Sequence, residues 1–190
     1  LEINAAASEM ARARGIDIVG QEFQAICESD RRFGVIVAID VIEHVKDPRA
    51  FVAKLARALE PGGILLISTG NSDARAWRFM RGRYWYCALG EHISFINPRW
   101  ISATALQFNL ELVDLRLFSY SRRTPAKWLH DGVVGLSYAS FPSFITWLRR
   151  RGLGYFRIEK GEDFADYPPK WSQARDHMMV LLRSVHVPLN

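Results

Sequence analysis

Between Val35 and Ser68 two apolar, β-branched runs flank one sharply delimited helix, and this pattern constrains the fold more than any other feature of the chain. Val35 to Asp40 reads VIVAID, which suits a central parallel strand covered on both faces. Ile64 to Ser68 reads ILLIS and predicts a second buried strand. Between them Asp47 can cap a helix, Pro48 fits its first turn, and Gly62 and Gly63 follow its end. Phe51, Val52, Leu55 and Leu59 then form one apolar stripe at helical spacing. Strand, helix, strand in this order predicts parallel pairing through a crossover, hence an α/β fold.

The flanking sequence extends the alternation. Leu1 to Asn4 reads as the tail of a strand, Ala5 to Arg14 as a helix stopped by Gly15, and Ile16 to Val19 as a short buried strand. A further helix starts at Asn97-Pro98, with Ile101, Ala105 and Phe108 on one face. Leu110 to Phe118 alternates more than the earlier strands and belongs near a sheet edge, and His177 to Arg183 supplies a last apolar strand. From about Ser119 to Arg175 the alternation lapses into a stretch rich in aromatics and arginine. The expected organisation is a core over residues 1–118, a helical insertion over 119–175, and a final core strand and tail over 176–190.

A net charge of +5 over 190 residues is too small to argue for nucleic acid, and no aromatic-and-basic RNA motif accompanies it. Cys27 and Cys87 have no metal-ligand spacing; one disulfide between them is an open reading, and a reduced, cytoplasmic setting is the favoured one. Glu2 and Glu9 interrupt the opening residues, so these are not expected to form an apolar leader.

Three side chains after the first long strand, Asp40, Glu43 and His44, draw attention because ligands bind beyond strand carboxyl ends in open α/β sheets. His92 has the pKa to accept a proton from a hydroxyl near neutral pH, and an imidazole that merely packs its loop is the competing reading.

The ordered set VIVAIDVIEHVKDP, LEPGGILLISTGN and EHISFINPRW resembles class I S-adenosylmethionine-dependent methyltransferases, in particular the ubiquinone-biosynthesis-like O-methyltransferase branch. The resemblance covers roughly Leu1 to Phe118. It implies a Rossmann-like sheet of order 3-2-1-4-5-7-6 with strand seven antiparallel. Leu1–Asn4 then corresponds to strand two, Ile16–Val19 to strand three and Val35–Asp40 to strand four. Strand one and its glycine-rich turn have no counterpart, so the expectation is that about 30 or more residues, one βα unit, precede Leu1.

The resemblance also assigns roles. Glu2 would accept from the cofactor ribose, with Ile3 beside it, and the competing reading is a carboxylate at a helix start. Glu22 and Phe23 would meet the adenine, although relatives often carry Asp in that turn and an ordinary solvated turn competes. Ile39 and Asp40 would line the cofactor from the strand end. Asp40, Glu43 and His44 match positions that hold a divalent metal in some relatives, and a metal-free role along the cofactor is the favoured alternative. His92 and His44 are the candidate catalytic imidazoles.

Gly132 to Leu148 has no charged residue and Arg149-Arg150-Arg151 follows at once. Pro142 argues against one spanning helix and for two helices broken there. They form either a lid or, through Phe141, Phe144, Ile145, Trp147 and Leu148, a peripheral contact with an anionic membrane. The expected function is transfer of a methyl group from S-adenosylmethionine to a small-molecule hydroxyl, on an acceptor that is bulky or lipid-like. A non-catalytic methyltransferase-like scaffold and a membrane-surface adaptor are the rival readings.

Overall fold

The computed structural model describes residues 4–18, 31–120, 124–152, 167–171 and 175–185. Helix α1 (Ala5–Ala13) is capped by Asn4, whose side chain accepts from the Ala7 amide. Strand β1 (Phe33–Ile39) leads through one 3-10 turn (Ile42–His44) into α2 (Pro48–Ala58). Asp47 caps α2 by accepting from the Ala50 amide, and Pro48 occupies its first turn, as their residue types require. Strand β2 (Leu59–Gly70) begins directly at the helix end, several residues before Ile64. Next come α3 (Arg75–Met80), α4 (Pro98–Gln107), capped by Asn97, and β3 (Leu110–Phe118). Helices α5 (Pro125–Ser140) and α6 (Pro142–Arg150) precede β4 (His177–Ser184).

The strands lie in the order β1-β2-β4-β3, with β1 parallel to β2 and β4 antiparallel to both its neighbours. This is the 4-5-7-6 half of the expected sheet. The last strand of the chain inserts between β2 and β3, which leaves β3 at the edge.

At the position of the expected third strand the described residues depart from expectation. Asn4 serves as a helix cap, and Ile16 to Ile18 form no strand; Leu1 to Ile3 and Val19 lie outside the described residues. Ile16 is 55% exposed, so its side chain lacks the cover that a buried strand requires. The expectation that β1 is covered on both faces also fails. Ala38 is buried, whereas Val35, Val37 and Ile39 on the opposite face are exposed.

Cover comes from one side. Phe51, Val52 and Leu55 of α2 and Ile101 and Ala105 of α4 pack on Leu65, Ile67, Met178, Val180 and Leu182. Fully burying such side chains stabilises by ~1.5–3 kcal/mol each.

A second cluster holds the insertion in place. Trp77 and Met80 of α3 and Tyr84 and Tyr86 beyond it pack against Tyr138 of α5 and Ile145 of α6. The break between those two helices falls at Phe141-Pro142, and among the described residues no helix is long and apolar enough to cross a membrane.

Trp171 lies flat against α5 at Gly135, where an added Cβ would meet ring atom Cε3 at 2.8 Å. Alanine in a helix interior normally gains ~1 kcal/mol over glycine. Overpacking against a rigid indole costs ~1–3 kcal/mol, so Gly135→Ala is expected to lower stability by about 1 kcal/mol instead. Thermal unfolding decides the sign, and an unchanged or raised Tm would mean that the ring yields.

Candidate active site

The site forms where three segments meet at the carboxyl ends of β1 and β2. Glu43 enters on the 3-10 turn after β1 and is 1% exposed. A buried carboxylate needs donors, and two are supplied. Tyr86 donates to its Oε1 at 2.5 Å and Thr69, near the end of β2, to its Oε2 at 2.8 Å. The backbone carbonyl of Glu43 accepts from the Ile93 and Ser94 amides at 2.9 and 3.0 Å. One residue thus ties the turn to the end of β2 and to the loop carrying His92.

Tyr86 is itself wedged. Its ring is so close to Gly70 that a Cβ there would sit 2.8 Å away, and its hydroxyl also accepts from the Gly70 amide at 3.2 Å. Burial first, and the neighbouring Glu43 second, push the Tyr86 phenol far above its ordinary value. It therefore stays a donor at any physiological pH.

His44 and His92 stand edge to face with ring centroids 4.8 Å apart. His44 Nδ1–H donates to the Glu91 carbonyl at 3.0 Å, and His92 Nδ1–H donates to the Tyr86 carbonyl at 3.1 Å. Carbonyls only accept, so both neutral rings carry their hydrogen on Nδ1 and a lone pair on Nε2. Burial lowers the His92 pKa, and this outweighs the opposing pull of the Tyr86 carbonyl and of Glu43. The Glu91 carboxylate is only a minor influence on His92.

Asp40 follows β1 in the left-handed region, at φ 50°, and accepts from the Tyr120 hydroxyl at 3.1 Å. It stands apart from the other acidic candidate. The cluster whose ligand atoms come together among the described residues is Glu43, His44 and His92, all within 4.8 Å of one another. His92, not Asp40, therefore completes the group around Glu43 and His44. Glu2, Ile3, Glu22 and Phe23 lie outside the described residues.

Sequence reading passed over several residues that build this site. Tyr86 and Thr69 hold Glu43, and Tyr84 donates to the buried Asp176 at 2.7 Å, which also accepts from Ser119 and from His177 Nδ1–H. The Tyr84-Trp85-Tyr86 run was the available signal, since three aromatics outside any periodic element need a packing partner.

Residues 1–115 match the family model described as methyltransferase domain. The chain belongs to this methyltransferase family. Among curated proteins, the ubiquinone biosynthesis O-methyltransferase of Methylobacterium nodulans is 39% identical over 62 residues, covering 33% of this chain and 25% of that protein. The enzyme of the same name from Pasteurella multocida is 27% identical over 118 residues, covering 59% and 49%. The chain thus spans a quarter to a half of the length of these relatives. Among solved structures, a SAM-dependent methyltransferase of Thermotoga maritima aligns with TM-score 0.53 at 11% identity, covering 96% of this chain and 71% of that one. The four strands are accordingly the second half of a Rossmann-like methyltransferase sheet, and S-adenosylmethionine is the family's cofactor.

Proposed function

We propose that this methyltransferase transfers a methyl group to a hydroxyl oxygen of a small-molecule acceptor, with His92 as general base and His44 as the second imidazole. The observation that carries the reading is the shared tautomer: both rings spend Nδ1–H on a backbone carbonyl and keep an Nε2 lone pair. When bound, S-adenosylmethionine supplies an electrophilic methyl on a sulfonium. The acceptor oxygen would bond the methyl carbon as the carbon–sulfur bond breaks and its electron pair returns to sulfur, leaving a neutral thioether, while the hydroxyl proton passes to His92 Nε2, so no charge accumulates on oxygen. Glu43 positions the machinery through its hold on Tyr86 and the His92 loop.

Asp40 and Ile39 fit the cofactor in kind, since an exposed carboxylate and a half-exposed apolar side chain stand together at the end of β1. A tetrahedral zinc ion fits less well. Ligands at 2.0–2.1 Å in a tetrahedral shell lie ~3.4 Å apart, tighter than a spread of up to 4.8 Å, and Glu43 already serves two hydroxyls. No step is therefore assigned to such an ion.

One observation supports a peripheral membrane contact as well. Phe141 and Phe144 are exposed, and Arg151 stacks on Trp147 at 4.2 Å beside them. Co-sedimentation with phosphatidylserine vesicles, lost in a Phe144→Ala/Trp147→Ala variant, is the expected outcome if α6 meets a bilayer.

The methyl-transfer reading is tested by calorimetry of the full-length protein with S-adenosylhomocysteine. Saturable binding at one site is expected. A protein that binds none would be a scaffold.

A further inference from the structure

Beside this site, beyond the end of β2, lies a cavity of about 680 Å³, within the range that small-molecule pockets occupy. Its walls are Phe79 of α3, Trp128 and Leu136 of α5, and Trp171. Phe79 is 56% and Trp128 51% exposed, so much of their ring surface is uncovered. Arg75 and Arg175 also line it. Neither guanidinium has a hydrogen bond or an acidic partner among the described residues, although Asp73 stands in the same wall. The lining therefore carries two cations against one anion, next to uncovered aromatic rings. Asn71 belongs to the lining too, and it is two residues beyond Thr69, which holds Glu43.

We infer that this cavity binds an amphiphilic anion, with its apolar body against Trp128, Phe79 and Leu136 and its carboxylate or phosphate head at Arg75 and Arg175. A planar guanidinium offers paired N–H donors that match either oxyanion. Flat rings take up an aromatic or acyl body with little loss of side-chain freedom, and covering them removes apolar area from water. A neutral ligand of the same shape leaves both guanidiniums without a counter-charge. The binding claim stands on the cavity alone, while the ligand's identity as the methyl acceptor rests on the methyl-transfer reading.

Calorimetry with decanoate, decyl phosphate and decanol on the full-length protein tests the inference, with S-adenosylhomocysteine titrated in parallel. At least one anion is expected to bind tighter than decanol by roughly 10- to 150-fold, the range of a charge-assisted hydrogen bond. The tighter anion identifies the head group. Arg75→Gln and Arg175→Asn, the latter chosen because asparagine tolerates the positive φ of 50° at that position, are expected to erase the difference and leave decanol binding as it was. Leu106→Ala, at an exposed apolar residue of α4 outside the cavity lining, should change nothing. Equal affinity for anion and alcohol, or an anion preference that survives both arginine variants, would overturn the inference. Anion selectivity without S-adenosylhomocysteine binding would uphold the pocket and sink the methyl-transfer reading; the reverse pattern would do the opposite.

Discussion

Glu43→Ala is expected to lose ~2–6 kcal/mol of stability, because the buried hydroxyls of Tyr86 and Thr69 are both left without their acceptor at ~1–3 kcal/mol each. Against a typical total of ~5–15 kcal/mol this is a large fraction. Glu43→Gln should be far milder, at about 1 kcal/mol. Its carbonyl can still accept from Tyr86, and the Thr69 hydroxyl can turn to accept from the amide. Urea unfolding of both variants separates an acceptor role from a charge role. Equal losses would mean that the negative charge matters by itself, and an alanine variant within 1 kcal/mol of the parent would remove Glu43 as the tie between turn, strand and loop. Activity should follow the same order, since His92 is held by the same loop whose Ile93 and Ser94 amides bond Glu43.

His92→Gln is expected to lower kcat by ~10²–10⁴-fold, the usual contribution of a general base, with S-adenosylhomocysteine affinity nearly unchanged. The pH profile gives an independent readout. A base works while neutral, and burial lowers the His92 pKa from its ordinary ~6.5. The ring therefore stays neutral further into acid, and the acid limb of the activity profile should have its midpoint below that ordinary value. The neighbouring Glu91 carboxylate invites the opposite shift on sequence grounds. It loses because it is exposed to solvent while the ring is half-buried. No alkaline limb is expected from Tyr86, whose phenol burial keeps protonated. Single-turnover methyl transfer across pH decides the matter. A variant within about threefold of the parent, ~0.65 kcal/mol, would pass the role to His44.

These two residues illustrate how far local chemistry reaches. Asp47, Pro48 and the stripe Phe51, Val52, Leu55 were sufficient for α2, because capping and periodicity are written within one turn of where they act. Asn97-Pro98 opened α4 for the same reason, and Phe141-Pro142 parted α5 from α6. The place of β4 between β2 and β3 was legible only through the family resemblance, since pairing strands more than a hundred residues apart leaves no local mark.

The site divides along the same line. Asp40, Glu43, His44 and His92 could be picked out by residue type and by their place after a strand or in a loop. Which of them meet could not. Tyr86 reaches Glu43 across 43 residues, Tyr120 reaches Asp40 across 80, and it is His92 that joins Glu43 and His44. Tertiary packing alone brought His92 against His44, set Trp171 on Gly135 and left Phe79 and Trp128 facing an open cavity. The physical reason is that secondary structure answers to neighbours three or four residues away, whereas a buried carboxylate or an aromatic wall takes whichever partner the folded chain brings within hydrogen-bond or van der Waals reach.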